Sequence, residues 1–200
     1  MKLHGTGVVL EPLTLERVPE LLLAANESRL SYGFTVVPHD EQSMRAWVEA
    51  ALGDARAVPF VTVSVAGGLR RLVGSTRFAA LERWPGSAAE WDGAEIGWTW
   101  LAASAQRTSV NTEAKLLMLT QAFERWGARR VTLKTDARNE RSRTAILRLG
   151  AKLDGVLRAH MPASDGGVRD SAFYSILAAE WPEVRARLQR RLTLSPQLLE

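Results

Sequence analysis

The chain has 200 residues, of which 46% are hydrophobic and 24% are charged, and it carries a net charge of +4. This length and composition favour one folded domain over residues 1–200 and argue against a disordered, collagen-like or membrane-embedded chain. The absence of cysteine excludes disulfides, thiolate metal sites and a cysteine nucleophile. Because the sequence shows neither an apolar run long enough for a transmembrane helix nor a signal peptide, we expect a cytoplasmic protein with no membrane partner.

The first part of the chain predicts a strand, two helices and a hairpin. Residues 6–11 are typical of a short strand, and Pro19 suits the first turn of a helix that runs to about residue 28. Asp40 is a candidate N-cap for a second helix, because the apolar positions after it recur on one helical face. Those positions are Met44, Trp47, Val48 and Ala51. Two β-rich runs within residues 59–79 flank a pair of glycines and predict a β-hairpin.

A polar loop over residues 82–92 precedes a strand in which polar and apolar residues alternate. The alternation predicts one face with Ile96, Trp98 and Trp100 and another face with Glu95, Gly97 and Thr99. Residues 112–126 then have the spacing of an amphipathic helix, which ends at Gly127.

The last third of the chain predicts a strand over residues 129–136, a helix over residues 139–149 and two paired strands around residues 164–167. A final helix follows from Glu180. Its arginines lie at helical spacing beside apolar residues, which favours a solvated helix face over a nucleic-acid surface. They are Arg185, Arg187, Arg190 and Arg191.

The segment that leads into the 112–126 helix is a candidate anion site. A helix start exposes unpaired backbone N–H groups and the positive end of the helix dipole. The side chains there add hydrogen-bond donors and one fixed positive charge: Gln106, Arg107, Thr108, Ser109 and Asn111. The alternative is that Ser109 or Asn111 simply caps the helix without a ligand.

The order of these motifs resembles the GNAT superfamily of acetyl-CoA-dependent N-acetyltransferases. Within it, the chain is most similar to the branch that acetylates the N-terminal serine or alanine of ribosomal proteins. The resemblance spans residues 8–192 and is carried by EIGWTWL, QRTSVN, RVTLKTDARNERSRTAILRLG and DGGVRDSAFYSIL. It implies an α/β fold with a mixed, mostly antiparallel sheet of six or seven strands and helices on both faces. Two central parallel strands, residues 94–101 and 130–136, would splay apart.

The resemblance also implies that acetyl-CoA lies between the splayed strands, with its pyrophosphate on residues 106–111, and it implies no metal. The cofactor-binding positions are then Trp100, Leu101, Gln106, Arg107, Thr108, Ser109, Val110, Asn111, Asn139 and Ser142. A backbone N–H near Trp100 or Leu101 would meet the acetyl oxygen. Ser109 and Asn111 stand where the family loop has glycines. A Cβ at Ser109 is expected to crowd a phosphate, whereas asparagine tolerates a left-handed backbone.

Acetyl transfer to an amine needs a proton acceptor, because an alkylammonium with a pKa of about 10 is protonated near neutral pH. The resemblance places this base at Glu95, which could instead be an exposed carboxylate at a strand end. Asp154 and His160 are alternatives. Asn139 and Ser142 match the N-x-x-S spacing of the branch, which makes Ser142 the acid for the departing thiolate and Asn139 its neighbour on the cofactor. Asn139 is also a plausible helix N-cap.

Other aromatic residues have less specific interpretations. Superfamily members often use a tyrosine as the acid, but Tyr174 on the last strand is more typical of the core or a pocket wall. Trp98 and Trp100 are expected in the core. Trp84 and Trp91 lie in the polar loop, where they could line an acceptor site or cover a partner subunit.

The sequence therefore predicts an enzyme that moves acetyl from acetyl-CoA to a primary amine, either a protein N-terminus or a small molecule. A non-catalytic acyl-CoA-binding module, for sensing or scaffolding, is the alternative, because the loop glycines are replaced and no base is unambiguous. Related enzymes are often dimers, and the sequence leaves open whether this chain forms a homodimer. A nucleic-acid partner is not expected.

Overall fold

The computed structural model describes residues 1–194. In this part of the chain eight strands form one sheet with the order β1-β2-β3-β4-β5-β6-β8-β7. The strands are β1 (Leu3–His4), β2 (Val8–Pro12), β3 (Val58–Ser64), β4 (Arg71–Glu82), β5 (Gly93–Leu101), β6 (Arg130–Asp136), β7 (Lys152–Pro162) and β8 (Val168–Leu177). Neighbouring strands are antiparallel except β5 and β6, which are parallel. The mixed sheet is as predicted, with the two-residue β1 added at one edge.

Helices cover both faces of the sheet. They are α1 (Val18–Asn26), α2 (Glu41–Leu52), α3 (Val110–Thr120), α4 (Glu140–Leu149) and α5 (Trp181–Leu194). Consecutive side chains of β4 show which helix lies on which face. Arg77 lies 4.9 Å from the ring centre of Trp47 on α2, whereas the ring of Phe78 lies 4.4 Å from that of Trp126, just after α3. We call these two sides the α2 face and the α3 face.

Local sequence signals explain where the helices begin and end. The Asp40 side chain accepts a hydrogen bond from the Ser43 N–H and caps α2, as predicted. Asn139 caps α4 in the same way. Gly150 ends α4 with φ +112°, in the left-handed region that favours glycine. The predicted 112–126 helix divides into α3 and a π-helical turn, Gln121–Arg125.

The last helix has the amphipathic character that the sequence predicts. Trp181, Val184 and Leu188 are buried, and the Trp181 ring stacks on Phe123. Arg187 donates hydrogen bonds to carbonyls at the end of α4. These contacts join α5 to the π-helical turn that follows α3 and to α4.

A β-bulge breaks the alternation expected in β5. Gly97 lies opposite Arg77 and Trp100 opposite Ser75, so Trp98 and Thr99 together face one residue of β4. Trp98 has φ +49°, which is uncommon for a bulky residue.

The bulge changes which side chains share a face. Trp98 packs beside Arg77 and Lys134 on the α2 face, where Trp100 also lies, whereas Ile96 lies opposite Phe78 on the α3 face. The prediction that Ile96 shares a face with the two tryptophans is therefore wrong. The prediction that Glu95 lies on the opposite face from them is also wrong, because Glu95 pairs with Lys134 on the α2 face. Trp100 is buried as expected, but Trp98 is 43% exposed and is not a core residue.

The two parallel strands separate, as the resemblance implies. β5 and β6 pair only through Gly93 with Arg130, Ala94 with Val131 and Glu95 with Thr132. Both strands continue beyond this point without pairing to each other. The gap between them, which we call the wedge, leaves backbone groups of both strand edges available to another molecule.

Candidate active site

The loop between β5 and α3 presents an open helix N-terminus to the wedge. Ser109 occupies the N-cap position, but its side chain makes no capping hydrogen bond. Thr108 Oγ1 instead accepts a hydrogen bond from the Val110 N–H at 3.3 Å, and Asn111 lies inside α3 with a buried, unpartnered Oδ1. The alternative, in which the side chain of Ser109 or Asn111 caps α3, is therefore wrong. The other first-turn N–H groups have no partner within the helix, which suits an anion.

The loop backbone does not adopt a conformation that requires glycine at the two positions where the family has it. Ser109 has φ −69° and ψ −16°, an ordinary right-handed conformation, and Asn111 is helical. The left-handed residue is Arg107, with φ +63°. The loop therefore turns at Arg107.

A cleft of about 380 Å³ beside this loop is lined by two guanidinium groups and, among residues 1–194, by no carboxylate. Its lining is Ser28, Leu30, Ser31, Ala103, Gln106, Arg107 and Arg141. Gln106 holds the walls of the cleft together through three hydrogen bonds. Its amide nitrogen donates to the Ser31 hydroxyl at 2.7 Å and to the Leu101 carbonyl at 2.8 Å. Its amide oxygen accepts from Arg141 at 2.7 Å. Sequence reasoning missed Arg141, although it lies two residues after the Asn139 cap. The cleft thus offers positive charge where an anion is expected.

The connection between α1 and α2 lies against the unpaired end of β5. The Tyr32 hydroxyl donates to the Leu101 carbonyl at 2.9 Å, and the Tyr32 ring meets Trp100 edge-on at 6.2 Å. Burial raises the pKa of Tyr32, so its hydroxyl stays neutral. The Trp100 Nε1–H is buried without a partner. This orphaned donor, the Asn111 acceptor and the free strand edges suit the amide-rich chain of acetyl-CoA.

Glu95 lies where the wedge opens. It is only 6% exposed, so the alternative of an exposed strand-end carboxylate is wrong. Its carboxylate pairs with Lys134 Nζ at 2.9 Å. Sequence reasoning missed Lys134, because it lies at one of the alternating polar positions of β6 and its partner is on another strand. The pair places one carboxylate and one cation beside the separated strands.

Asn139 and Ser142 lie in the first turn of α4. Asn139 Oδ1 accepts from the Ser142 N–H at 3.0 Å, so the capping interpretation of Asn139 is confirmed. The Ser142 hydroxyl is half-buried and makes no hydrogen bond with residues 1–194. Tyr174 is 1% exposed, and its hydroxyl accepts from Arg143 Nε at 3.0 Å. It is a core residue, as expected.

The alternative bases are engaged in other contacts. Asp154 pairs with Arg130 at 2.8 Å and accepts from the Ser175 hydroxyl at 2.8 Å. His160 Nδ1 lies 3.0 Å from the Ser171 hydroxyl. Glu95 is ion-paired as well, so the difference is one of position: Asp154 and His160 lie on the edge strand β7, whereas Glu95 lies at the wedge opening itself.

The two loop tryptophans lie at the opposite end of β5 from the bulge. Trp84 is 49% exposed and lies 5.5 Å from the Arg129 guanidinium, just before β6 begins. Trp91 is half-buried against the core. Both therefore sit where β5 and β6 are still paired.

A buried lysine ties α3 to the bulge. Lys115 Nζ donates to the hydroxyls of Thr76 at 3.0 Å and Thr99 at 2.5 Å. Burial lowers the pKa of Lys115 to about 7. Sequence reasoning missed this residue, because a lysine in a helix is usually solvated.

Comparisons with known proteins identify the family and the fold. The sequence profile of the GNAT acetyltransferase domain matches residues 8–152. A protein from T. thermophilus, described as an acetyltransferase, is 36% identical with a TM-score of 0.81 over 96% of both chains. A GCN5-related N-acetyltransferase from Brucella melitensis is 27% identical with a TM-score of 0.81 over 95% of this chain and 84% of its own. RimJ of Mycobacterium smegmatis in complex with CoA-disulfide is 22% identical, with a TM-score of 0.73 over 92% of this chain and 88% of its own.

Comparison with curated proteins found no significant match. The chain nevertheless belongs to the GNAT acetyltransferase family, because the family profile covers most of it. It is an acetyl-CoA-dependent acetyltransferase. Within residues 1–194, no cluster of His, Asp and Glu side chains could hold a metal ion, and no helix is long and apolar enough to span a membrane.

Proposed function

We propose that the chain is a single N-acetyltransferase domain that transfers acetyl from acetyl-CoA to a primary amine by direct attack. The observation that carries this proposal is the position of Glu95. This buried carboxylate occupies the last β5 position that pairs with β6, so it lies beside the opening of the wedge. A base there is within reach of an amine that approaches an acetyl group held between the strands.

The proposed cofactor contacts are of two kinds, charged side chains and backbone groups. Arg107 and Arg141 line the cleft next to the α3 N-terminus, and together they would hold the pyrophosphate. Backbone N–H groups of β5 near Trp100 and Leu101 would donate to the carbonyls of the pantetheine chain and to the acetyl oxygen, since the Leu101 carbonyl already accepts from Tyr32 and Gln106. When bound, acetyl-CoA supplies an acetyl thioester, whose thiol has a pKa of about 8.5 and leaves readily as thiolate.

Glu95 would accept the proton of the acceptor ammonium, directly or through one water. Lys134 is a positioning residue, because its ion pair holds the Glu95 carboxylate at the wedge. Ser142 would donate a proton to the departing sulfur, since its hydroxyl is not committed to another residue of the described chain. Asn139 would keep that hydroxyl in place by capping the first turn of α4.

The Asn139 and Ser142 spacing also supports membership of the branch that acetylates ribosomal-protein N-termini. The acceptor would then be a peptide N-terminus or a small amine. The chain would work as a monomer or a homodimer.

The test is a thiol-release assay with acetyl-CoA and a panel of primary amines and N-terminal peptides. We expect saturable release with at least one acceptor and a loss of about 10²-fold or more in kcat/KM for Glu95→Gln. Glu49→Gln on the exposed side of α2 is the matched control. Saturable CoA binding without thiol release for any amine would contradict the proposal and support a non-catalytic acyl-CoA-binding module.

A further inference from the structure

Arg77 on β4 is a buried cation without an anionic partner. It is 6% exposed, its Nε is buried without a hydrogen-bond partner, and no ion pair or hydrogen bond joins its guanidinium to another residue of the described chain, residues 1–194. The guanidinium carbon lies 4.9 Å from the ring centre of Trp47 and 4.8 Å from that of Trp98. Aromatic rings stabilise the faces of a guanidinium, but they offer nothing to its N–H donors. These donors therefore need an acceptor from outside the described chain.

Arg77 keeps its charge at neutral pH. Burial lowers its pKa to about 10, and Asp54 is the carboxylate whose field acts against this shift. Asp54 is exposed and forms no ion pair with Arg77 in the described structure. The positive charge is therefore not neutralised by the protein.

Arg77 also lies beside the proposed reaction centre. It pairs with Gly97 across β4 and β5, two residues from Glu95 and next to the bulge at Trp98. On β6, the neighbour of β5 along its other edge, the Lys134 cation is already paired with Glu95. Arg77 is thus the unpaired cation among these groups on the α2 face.

We propose that Arg77 binds a carboxylate of the acceptor, so that the acceptor is a primary amine that also carries a carboxylate. This inference rests on the proposed N-acetyltransferase function. The guanidinium fork matches a carboxylate through two parallel hydrogen bonds, and contacts with the two tryptophan rings hold the guanidinium beside β5. A free amino acid and a peptide with an acidic second residue both present this chemistry.

The experiment compares matched acceptors in the thiol-release assay. L-serine is paired with L-serinamide, and Ser-Asp-Ala amide is paired with Ser-Asn-Ala amide. We expect the wild-type protein to favour the carboxylate member of one pair at least tenfold in kcat/KM, and that pair identifies the source of the carboxylate. In Arg77→Met this ratio falls about tenfold, mainly through KM, and Arg77→Lys restores part of it. Arg45→Met, an equal charge loss at an exposed position on α2, keeps the wild-type ratio.

Two results would overturn the inference: no preference in either pair, or an equal loss for both members in Arg77→Met, which is what a structural role gives. If Arg77→Met does not fold, the preference for the carboxylate acceptor in kcat/KM is compared between the wild type and Arg77→Lys, and an unchanged preference overturns the inference. Thiol release without preference refutes the carboxylate inference alone. Absence of thiol release with every amine refutes the proposed function and this inference with it.

Discussion

Lys115 shows how strongly one side chain can depend on its surroundings. The residue is 4% exposed, and its ammonium meets two threonine hydroxyls instead of a carboxylate. The folded-state pKa of about 7 lies below the value of about 10.4 for an unfolded lysine. The unfolded chain therefore binds more protons between these values. Stability should rise as pH increases through this window, and the full cost of the buried charge applies below pH 7.

We predict that Lys115→Met is more stable than the wild type at pH 6, by about 2 kcal/mol or more. Thr76 and Thr99 keep a mutual hydrogen bond at 2.8 Å, so the substitution leaves neither hydroxyl unpaired. The measurement is urea unfolding of both proteins from pH 6 to 10, in which the stability difference should shrink as pH rises. A difference that is independent of pH would show that folding does not lower the pKa of Lys115.

Substitutions at Ser142 and Asn139 should distinguish a loss of catalytic rate from a loss of helix capping. We predict that Ser142→Ala lowers kcat by about 10²-fold and changes stability by less than about 0.5 kcal/mol, because its hydroxyl has no partner in the described chain. Asn139→Ala should cost about 1 kcal/mol of stability through the lost cap. Steady-state kinetics and urea unfolding measure both effects. Thr144→Ala, at an exposed hydroxyl on the same helix, is the control. Unchanged kcat in Ser142→Ala would remove Ser142 as the acid.

Among the elements, those with strong local signals were predictable and the irregular ones were not. Helix α2 follows from the Asp40 cap and its apolar face, and α4 follows from its cap and from Gly150. The two-residue β1 is too short for any periodic pattern. The bulge in β5 is invisible to a period-two pattern, because the extra residue is set by pairing with β4 and not by composition.

The candidate site divides along the same line. The cofactor loop and Ser142 could be found, because their spacing along the chain is local. Arg77 and Lys134 could not, because each acquires its role from a neighbouring strand that is distant in sequence.

The close approach of β4 and β5 at the wedge depends on Gly74. A Cβ at this position would overlap the Trp100 carbonyl oxygen, which is backbone and cannot move away as a flexible side chain could. We predict that Gly74→Ala lowers the free energy of unfolding by about 3 kcal/mol and weakens CoA binding, since it displaces the free edge of β5. Gly33→Ala, which meets no atom within 4 Å, should change neither. Urea unfolding and CoA titration test both variants. Normal CoA affinity in a destabilised Gly74→Ala would contradict the proposed role of that edge.

At the scale of the whole molecule, the wedge between β5 and β6 lies between two regions that carry different charged side chains. The cleft beside α3 holds Arg107 and Arg141 and suits a phosphorylated ligand. The α2 face holds the Glu95 and Lys134 pair together with the unpaired Arg77. This arrangement would let the two substrates approach from different directions and meet at the bulge.

CoA binding should therefore raise the free energy of unfolding of the whole domain. It should slow amide hydrogen exchange, beyond this global effect, only near the binding site. At 100 times the Kd, a ligand that binds only the folded state adds about 2.7 kcal/mol of stability. We predict that CoA raises the Tm and that this rise is smaller at high salt. The reason is that salt screens the attraction between the phosphates and the guanidinium groups of Arg107 and Arg141. Each of Arg107→Met and Arg141→Met should reduce the rise, whereas Arg158→Met on the exposed part of β7 should not. In hydrogen exchange, protection should concentrate in the unpaired half of β5 and the first turn of α3. Protection of β7 and β8 instead, or no rise in Tm at saturating CoA, would place the cofactor outside the wedge.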